Sequence, residues 1–229
     1  IVARDGGDVL SPDGEEGIAR VIERTSELAA QSRLLIALGG DNSLTYSVAL
    51  GVWGGRLPAS GLVTLDAHHD LRDGVSNGSP VRRLVEAGLS GRHVVQIGIA
   101  DFSNSPEYAA RARDLGITVV TRDALRRRPM SDVMTEALTI AGAGGGPIHV
   151  DLDVDVCDRS VVPGCHASAP GGISADELRM AAFLAGRSPR VASLDIAEID
   201  ATADSLDGRT VRLGALCVLE AACGSTLRG

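Results

Sequence analysis

Apolar runs of strand length alternate along this chain with stretches of helical period. The alternation predicts βαβ units and a parallel sheet covered on both faces. The predicted strands span residues 33–38, 61–65, 93–99, 117–121, 147–152 and 190–196, each bounded by Gly, Pro, Asp or Ser. Predicted helices lie between them over 15–30, 80–87, 106–115, 131–140 and 175–185. In the first helix Ile18, Val21, Ile22 and Leu28 fall on one face, as a sheet-covering helix requires. The glycine-rich run 141–146 precedes a strand instead of following one, which makes it a flexible turn and not a phosphate loop. No linker and no internal repeat divides the chain, so a single domain over 1–229 is expected.

The polar clusters fall in one topological place. GGDNS (39–43), DAHHD (66–70), ADFSNS (100–105), DVDVCD (153–158) and EID (198–200) each follow a predicted strand. Ligands of open α/β sheets bind at the carboxyl ends of the strands, so these clusters predict one site on that edge. If the strand runs on through DAHHD, Asp66, His68 and Asp70 alternate to one side and His69 points elsewhere. DVDVCD repeats the device with Asp153 and Asp155, and Asp158 follows in the turn. Carboxylates this close repel each other and destabilise the fold unless they are hydrogen-bonded, paired or metal-bound. One Asp pair after a strand is commonly a helix N-cap, but the second cluster shifts the balance to a metal site. An Asp-rich, His-poor set without cysteine favours a hard ion such as Mn²⁺ over zinc. Two such ions sharing a carboxylate would turn a bridging water into a hydroxide near neutral pH, the chemistry of a hydrolase.

Composition narrows the setting. The 229 residues suffice for one large domain with one buried core. The chain opens at Ile1 and not at Met, so a segment is expected to be missing from the front. Hydrophobic residues make up 44%, but no apolar run approaches the roughly 20 residues of a membrane span and no charged leader opens the chain. A soluble, cytoplasmic protein without a membrane partner is expected. Lys and Arg number 22 against 30 Asp and Glu, for a net charge of −8, which leaves no basic excess for phosphates and argues against nucleic acid. Part of the acidic surplus is metal ligand on this reading. Cys157, Cys165, Cys217 and Cys223 form no CxxC pair and read as buried thiols in a reducing compartment.

The order GGDNS, DAHHD, DLDVDVCDRSVVPG, LDIAEID resembles the arginase–agmatinase–formimidoylglutamase family, the ureohydrolases, over nearly the whole chain from Asp5. The resemblance implies a three-layer αβα fold with a mostly parallel central sheet, arginase-like, in a single ureohydrolase domain. It also implies a dimanganese site that hydrolyses a guanidinium or an amidine. Pro163–Gly164 aligns with the family's proline after its second Asp motif, which implies that Asp153 bridges the metals, Asp155 is terminal and Asp151 lies outside the site. Asp66 would also bridge, with His68 on one metal and Asp70 on the other.

Two positions depart from the family pattern. Where the family usually reads GGDHS this chain has Asn42, which exchanges an imidazole ligand for a weaker amide oxygen. Two Mn²⁺ ions are expected, or one if the ion beside Asp70 is lost. The family's histidine after DAHHD, a proton shuttle in arginases, is Asn77 here, so that role passes to water, Asp70 or Glu198. The family often forms trimers or hexamers, which implies a homo-oligomer.

Arg72 lies two residues beyond Asp70, on the site side of an extended segment, where arginases place a neutral residue; a guanidinium there suits a substrate carboxylate. Ser103 stands where arginase-type enzymes hold an acid for the substrate's α-amino group, so no free amine is expected. Glu198 would receive the cationic amidine. Arg82 and Arg83 face away on a helix or contact a second carboxylate, and His166 either approaches the site or caps a turn, with the turn favoured. The expected catalytic residues are therefore Asp70 and Glu198. The expected substrate-binding residues are Arg72, Asn77, Ser103 and Glu198, and the expected metal ligands Asp66, His68, Asp70, Asp153, Asp155 and Asn42. The resemblance is strongest to formimidoylglutamases of histidine degradation, which implies conversion of N-formimino-L-glutamate and water to L-glutamate and formamide. The rivals are a guanidino hydrolase releasing urea, and a metal-poor, non-catalytic homologue acting as an oligomer subunit.

Overall fold

In the computed structural model, which describes residues 1–228, six strands form one sheet in the order β1-β6-β5-β2-β3-β4, every neighbour parallel. They are β1 (Leu35–Leu38), β2 (Gly61–Leu65), β3 (Val94–Ile99), β4 (Thr118–Thr121), β5 (Ile148–Asp153) and β6 (Val191–Ala197). The helices are α1 (Gly14–Ala29), α2 (Leu44–Trp53), α3 (Pro80–Ala87), α4 (Pro106–Asp114), α5 (Arg122–Leu125), α6 (Met130–Ala141), α7 (Ala175–Arg187) and α8 (Arg209–Ser225). Every residue of β2, β3 and β5 is buried, as a parallel sheet covered on both faces requires. Successive residues serve opposite layers. Leu62 and Val94 join a core with Val48, Trp53 and Leu84 of α2 and α3, while Val63 and Val95 join one with Met134, Leu178 and Cys217 of α6, α7 and α8. The three-layer αβα expectation is borne out.

The strand order reverses direction between β5 and β2. After β1, which takes one edge of the sheet, the chain builds outward from β2 to β4 and then returns to place β5 and β6 between β2 and β1. At such a switch point the connections diverge and leave a crevice at the carboxyl edge. Asp66 follows β2 there and Asp153 ends β5.

Elsewhere the predicted elements shift only at their ends, but α2, α5 and α8 were not foreseen. α2 is apolar and buried nearly all round, so it carries no helical period. α8 is likewise apolar around its circumference and packs along α7. The first helix differs from expectation too. It buries Gly17, Val21 and Thr25 and packs chiefly on α2, while Ile18, Ile22 and Leu28 are only half-buried. Gly51 of α2 allows that approach, since a Cβ there would lie 2.0 Å from Thr25 Oγ1. The run 141–146 forms a 3₁₀ turn, Gly142–Gly144, before the left-handed Gly145. Three cysteines are buried as expected, but Cys223 is exposed because it sits on the solvent side of α8. Among the described residues no helix is long and apolar enough to cross a membrane.

Candidate active site

β2 ends at Leu65, so strand alternation does not gather the DAHHD side chains. The chain instead turns away from the ladder. Asp66 N–H still donates to the Ile97 carbonyl at 3.0 Å and Ala100 N–H to the Ala67 carbonyl at 2.9 Å, and by Asp70 the backbone is left-handed at φ +53°. Backbone groups leaving a ladder inside a protein need other partners. Asn104 supplies two of them, donating from Nδ2 to the Ala67 carbonyl (2.9 Å) and accepting His69 N–H at Oδ1 (3.0 Å). Gln96 of β3 donates to the His69 carbonyl and meets His69 Nδ1, both at 2.7 Å. His69 is thereby turned into the core, away from the site.

On the facing strand Asp153 ends β5 and a 3₁₀ turn, Val154–Val156, follows. Asp153 Oδ1 accepts Asp155 N–H at 2.8 Å, so it caps this turn as well as facing the crevice. Asp155 ties the two motifs together: Oδ1 accepts Ala67 N–H at 2.9 Å and Oδ2 lies 2.7 Å from His68 Nδ1. His68 Nδ1 is also 3.4 Å from Asp66 Oδ1. Donor atoms of Asp66, His68 and Asp155 all lie within 4.8 Å of one another, a grouping able to hold a metal ion. Behind it the buried Arg122 donates to the carbonyls of Asp155 (2.9 Å), Gly98 (3.2 Å) and Val156 (3.3 Å).

Asn42 joins the metal-type residues to Glu198. Its Nδ2 donates to Asp70 Oδ2 at 2.5 Å and Asp66 Oδ2 at 3.3 Å, its Oδ1 accepts from Thr45 Oγ1 at 2.9 Å, and its N–H donates to Glu198 Oε1 at 3.0 Å. The amide therefore turns its NH₂ to the carboxylates, where a ligand would present oxygen. Two carboxylates without a cation need a donor, and the amide provides it. Glu198 is left-handed at φ +65°, a conformation costly for a residue with a Cβ, and its N–H donates to the Gly40 carbonyl at 2.8 Å. Its Oε1 also accepts from Asn77 Nδ2 at 3.3 Å.

A cavity of about 190 Å³ is lined by Asn42, His68, Asp70, Arg72, Asn77, Gly78, Asp153, Asp155, Ala167 and Glu198. Asp66 is buried beside it. Ser103 does not line it: Phe102 turns left-handed at φ +64° and leaves Ser103 exposed, while Asn104 takes the inward place. Arg82 braces the Arg72 carbonyl from Nε at 2.6 Å, and Arg83 lies 3.6 Å over the Tyr46 ring. His166 Nε2 pairs with Asp200 at 3.0 Å on the surface, and Asp158 accepts Ser160 and Gly171 N–H groups. Asp151 is fully buried and does not line the cavity. Gln96 and Arg122 lie outside the strand-end clusters, and Asn104 falls within ADFSNS, where sequence reasoning singles out only Ser103; the one sequence signal for Gln96 is a polar residue inside an apolar strand.

Crowding sets the protonation. Burial, then the Asp155 charge, pushes Asp66 up to about 7. Burial likewise raises Asp70 and Asp153 well above the usual carboxylate range. His68 rises to about 10 because Asp155 and Asp66 hold its ring proton. Protons here do the neutralising that a divalent cation would otherwise do, and the oxygen-rich donor set fits such a cation.

Comparison with known proteins bears on the same residues. The sequence matches the Arginase family over residues 1–224. Formimidoylglutamase of Bacillus subtilis (strain 168) is 36% identical over 197 residues, 84% of this chain and 61% of that protein. This chain thus spans about three-fifths of the length of that relative. The crystal structure of formimidoylglutamase from Bacillus subtilis superposes with a TM-score of 0.89 at 32% identity, covering 96% of this chain and 70% of that one. Trypanosoma cruzi formiminoglutamase, solved with Mn²⁺, has a TM-score of 0.90 over 97% of this chain and 75% of that one; at 22% identity this is a likeness of fold. With the family match running almost end to end, the chain belongs to the arginase family.

Proposed function

We propose that this chain is a metal-dependent hydrolase of linear amidines that converts N-formimino-L-glutamate and water to L-glutamate and formamide. The observation that carries the reading is Arg72: this exposed residue lines the same cavity as Glu198 and the acid cluster, yet no carboxylate among the described residues pairs with its guanidinium. An unpaired guanidinium in a polar cavity suits a substrate carboxylate. The identity to a formimidoylglutamase supports the same choice.

Asp66, His68, Asp153 and Asp155 would hold one Mn²⁺, and Asp66, Asp70 and Asp153 a second, weaker one, which Asn42 would join only by turning its amide oxygen from Thr45 to the carboxylates. Bound there, the metal supplies Lewis-acid chemistry that acidifies water near neutral pH. Glu198, with Oε1 already held by Asn42 and Asn77, offers its remaining oxygen to the amidinium N–H groups. Arg72 takes the far carboxylate and sets the amidine carbon facing the acid cluster. Water oxygen adds to that carbon, the bond from carbon to the glutamate nitrogen breaks, and Asp70 passes the proton to the leaving amine. Asn77 has no proton to pass and acts by holding Glu198 and the substrate; Ser103 has no part. A homo-oligomer in the cytoplasm, acting in histidine degradation without membrane or nucleic-acid partners, completes the proposal.

The test is a substrate panel on protein loaded with Mn²⁺, with bound metal counted. Formamide release from formiminoglutamate is expected. Urea from agmatine or guanidinobutyrate without formamide would replace this reading with a guanidino hydrolase. Near-zero bound metal together with no formamide would replace it with a non-catalytic subunit.

A further inference from the structure

We propose that Gly78 is a specificity-determining residue, its missing side chain reserving the space in which the Arg72 guanidinium lies along the cavity wall. The inference rests on Arg72 binding the substrate's far carboxylate.

Gly78 and Arg72 line the same cavity, and Arg72 N–H donates to the Gly78 carbonyl at 2.9 Å. A Cβ on Gly78 would lie 2.6 Å from Arg72 Cδ, 2.8 Å from Nε and 3.2 Å from Cζ. Gly78 is not among the left-handed glycines, so the backbone does not itself demand glycine here. What demands it is the room the guanidinium occupies. All three crowded atoms belong to the far end of one flexible side chain, so a methyl group displaces the guanidinium and leaves the backbone in place. The two residues are further fixed by the Arg72 carbonyl, which accepts from Arg82 Nε at 2.6 Å. With the main chain of residue 72 held at both N–H and carbonyl, side-chain rotation is the soft coordinate. Arg72 is exposed and its guanidinium makes no hydrogen bond or ion pair among the described residues, so its close packing over Gly78 is the contact that steers the planar donor fork. A fork displaced by an ångström loses bidentate contact with a carboxylate.

The test is a double-mutant cycle of Gly78→Ala, Arg72→Ala and the pair, with KM and kcat for formiminoglutamate and the Kd of the product L-glutamate read for each. Arg72→Ala is expected to raise KM and the glutamate Kd roughly tenfold or more. Gly78→Ala should reproduce a large part of that rise, KM moving more than kcat, and should add nothing in the Arg72→Ala background. An equal penalty in both backgrounds, or no penalty from Gly78→Ala where Arg72→Ala has one, overturns the inference and leaves the carboxylate clamp standing. An unchanged KM and glutamate Kd in Arg72→Ala overturns the clamp itself. Thermal midpoints are read alongside: a loss in Gly78→Ala that persists in the double variant marks a backbone effect and also counts against it.

Discussion

Asn42 is a single amide that serves two masters. Its side chain donates hydrogen bonds to Asp70 and Asp66 while its N–H holds Glu198, so the half of the site nearest Asp70 is partly satisfied without any cation. Asn42→His would offer an imidazole ligand in its place, and Mn²⁺ bound per chain is expected to rise toward two with at least tenfold tighter binding of the weaker ion, read by calorimetric titration. Protonation gives a second prediction. Asp66 keeps its proton to about 7 in the folded chain against an ordinary 3.8, so between those values the folded state holds a proton that the unfolded state has lost, and stability falls as pH rises. His68 keeps its proton to about 10 against 6.5, so its contribution is full below 6.5 and vanishes as pH climbs through 10. Both groups therefore weaken the metal-free protein on the alkaline side, whereas metal ligation needs the deprotonated forms. The gap in thermal midpoint between Mn²⁺-loaded and metal-free protein is expected to widen from about pH 6 to about pH 8. The identities of the acid cluster were legible in the sequence because paired carboxylates leave few alternatives. Ser103 misled because a left-handed turn at Phe102 hands the inward place to Asn104, and nothing in ADFSNS announces that turn.

At the level of elements, the strands were legible because parallel strands buried on both faces read as short apolar runs. α2 was not, since a helix buried nearly all round loses the periodicity that would reveal it, and α8 was not because its exposed face carries Val211, Leu216 and Leu219, which blur the apolar stripe. The end of β2 at residue 65 was legible, but the turn that follows it was not, because DAHHD alternates on paper and the support of the turn is the side chains of Gln96 and Asn104, which lie far along the sequence. Gln96→Leu keeps the volume but leaves the His69 carbonyl and ring nitrogen without a partner. It is expected to cost about 2–6 kcal/mol in denaturant unfolding, from about 1–3 kcal/mol for each of the two orphaned groups. Mn²⁺ affinity should fall with it, because the same turn carries Asp66, His68 and Asp70.

On the scale of the whole molecule, the site belongs to no single element. Asp66 after β2, Asp155 after β5, Asn42 before α2 and Glu198 after β6 meet where the strand order reverses, and the contacts run between residues as much as 156 positions apart. The βαβ rhythm and the strand-end clusters made the edge predictable, but the order β1-β6-β5-β2-β3-β4 is a matter of tertiary pairing that local pattern does not encode. A metal that bridges these distant segments binds only the folded chain. Chelation is therefore expected to lower the unfolding midpoint of the Mn²⁺-loaded protein, by an amount equivalent to about 3–4 kcal/mol at metal concentrations 100 to 1,000 times Kd, read by calorimetry.

Glu198 enters the site by a backbone conformation that a carboxylate-bearing residue ordinarily avoids. Glycine would rest there comfortably, so Glu198→Gly should be about 1 kcal/mol more stable than Glu198→Ala in urea unfolding, although both remove the same carboxylate. Selection for sturdiness alone would push this codon toward glycine. A glutamate persisting in so uncomfortable a posture marks a position at which the molecule forgoes ease of folding to keep an acid at the cavity.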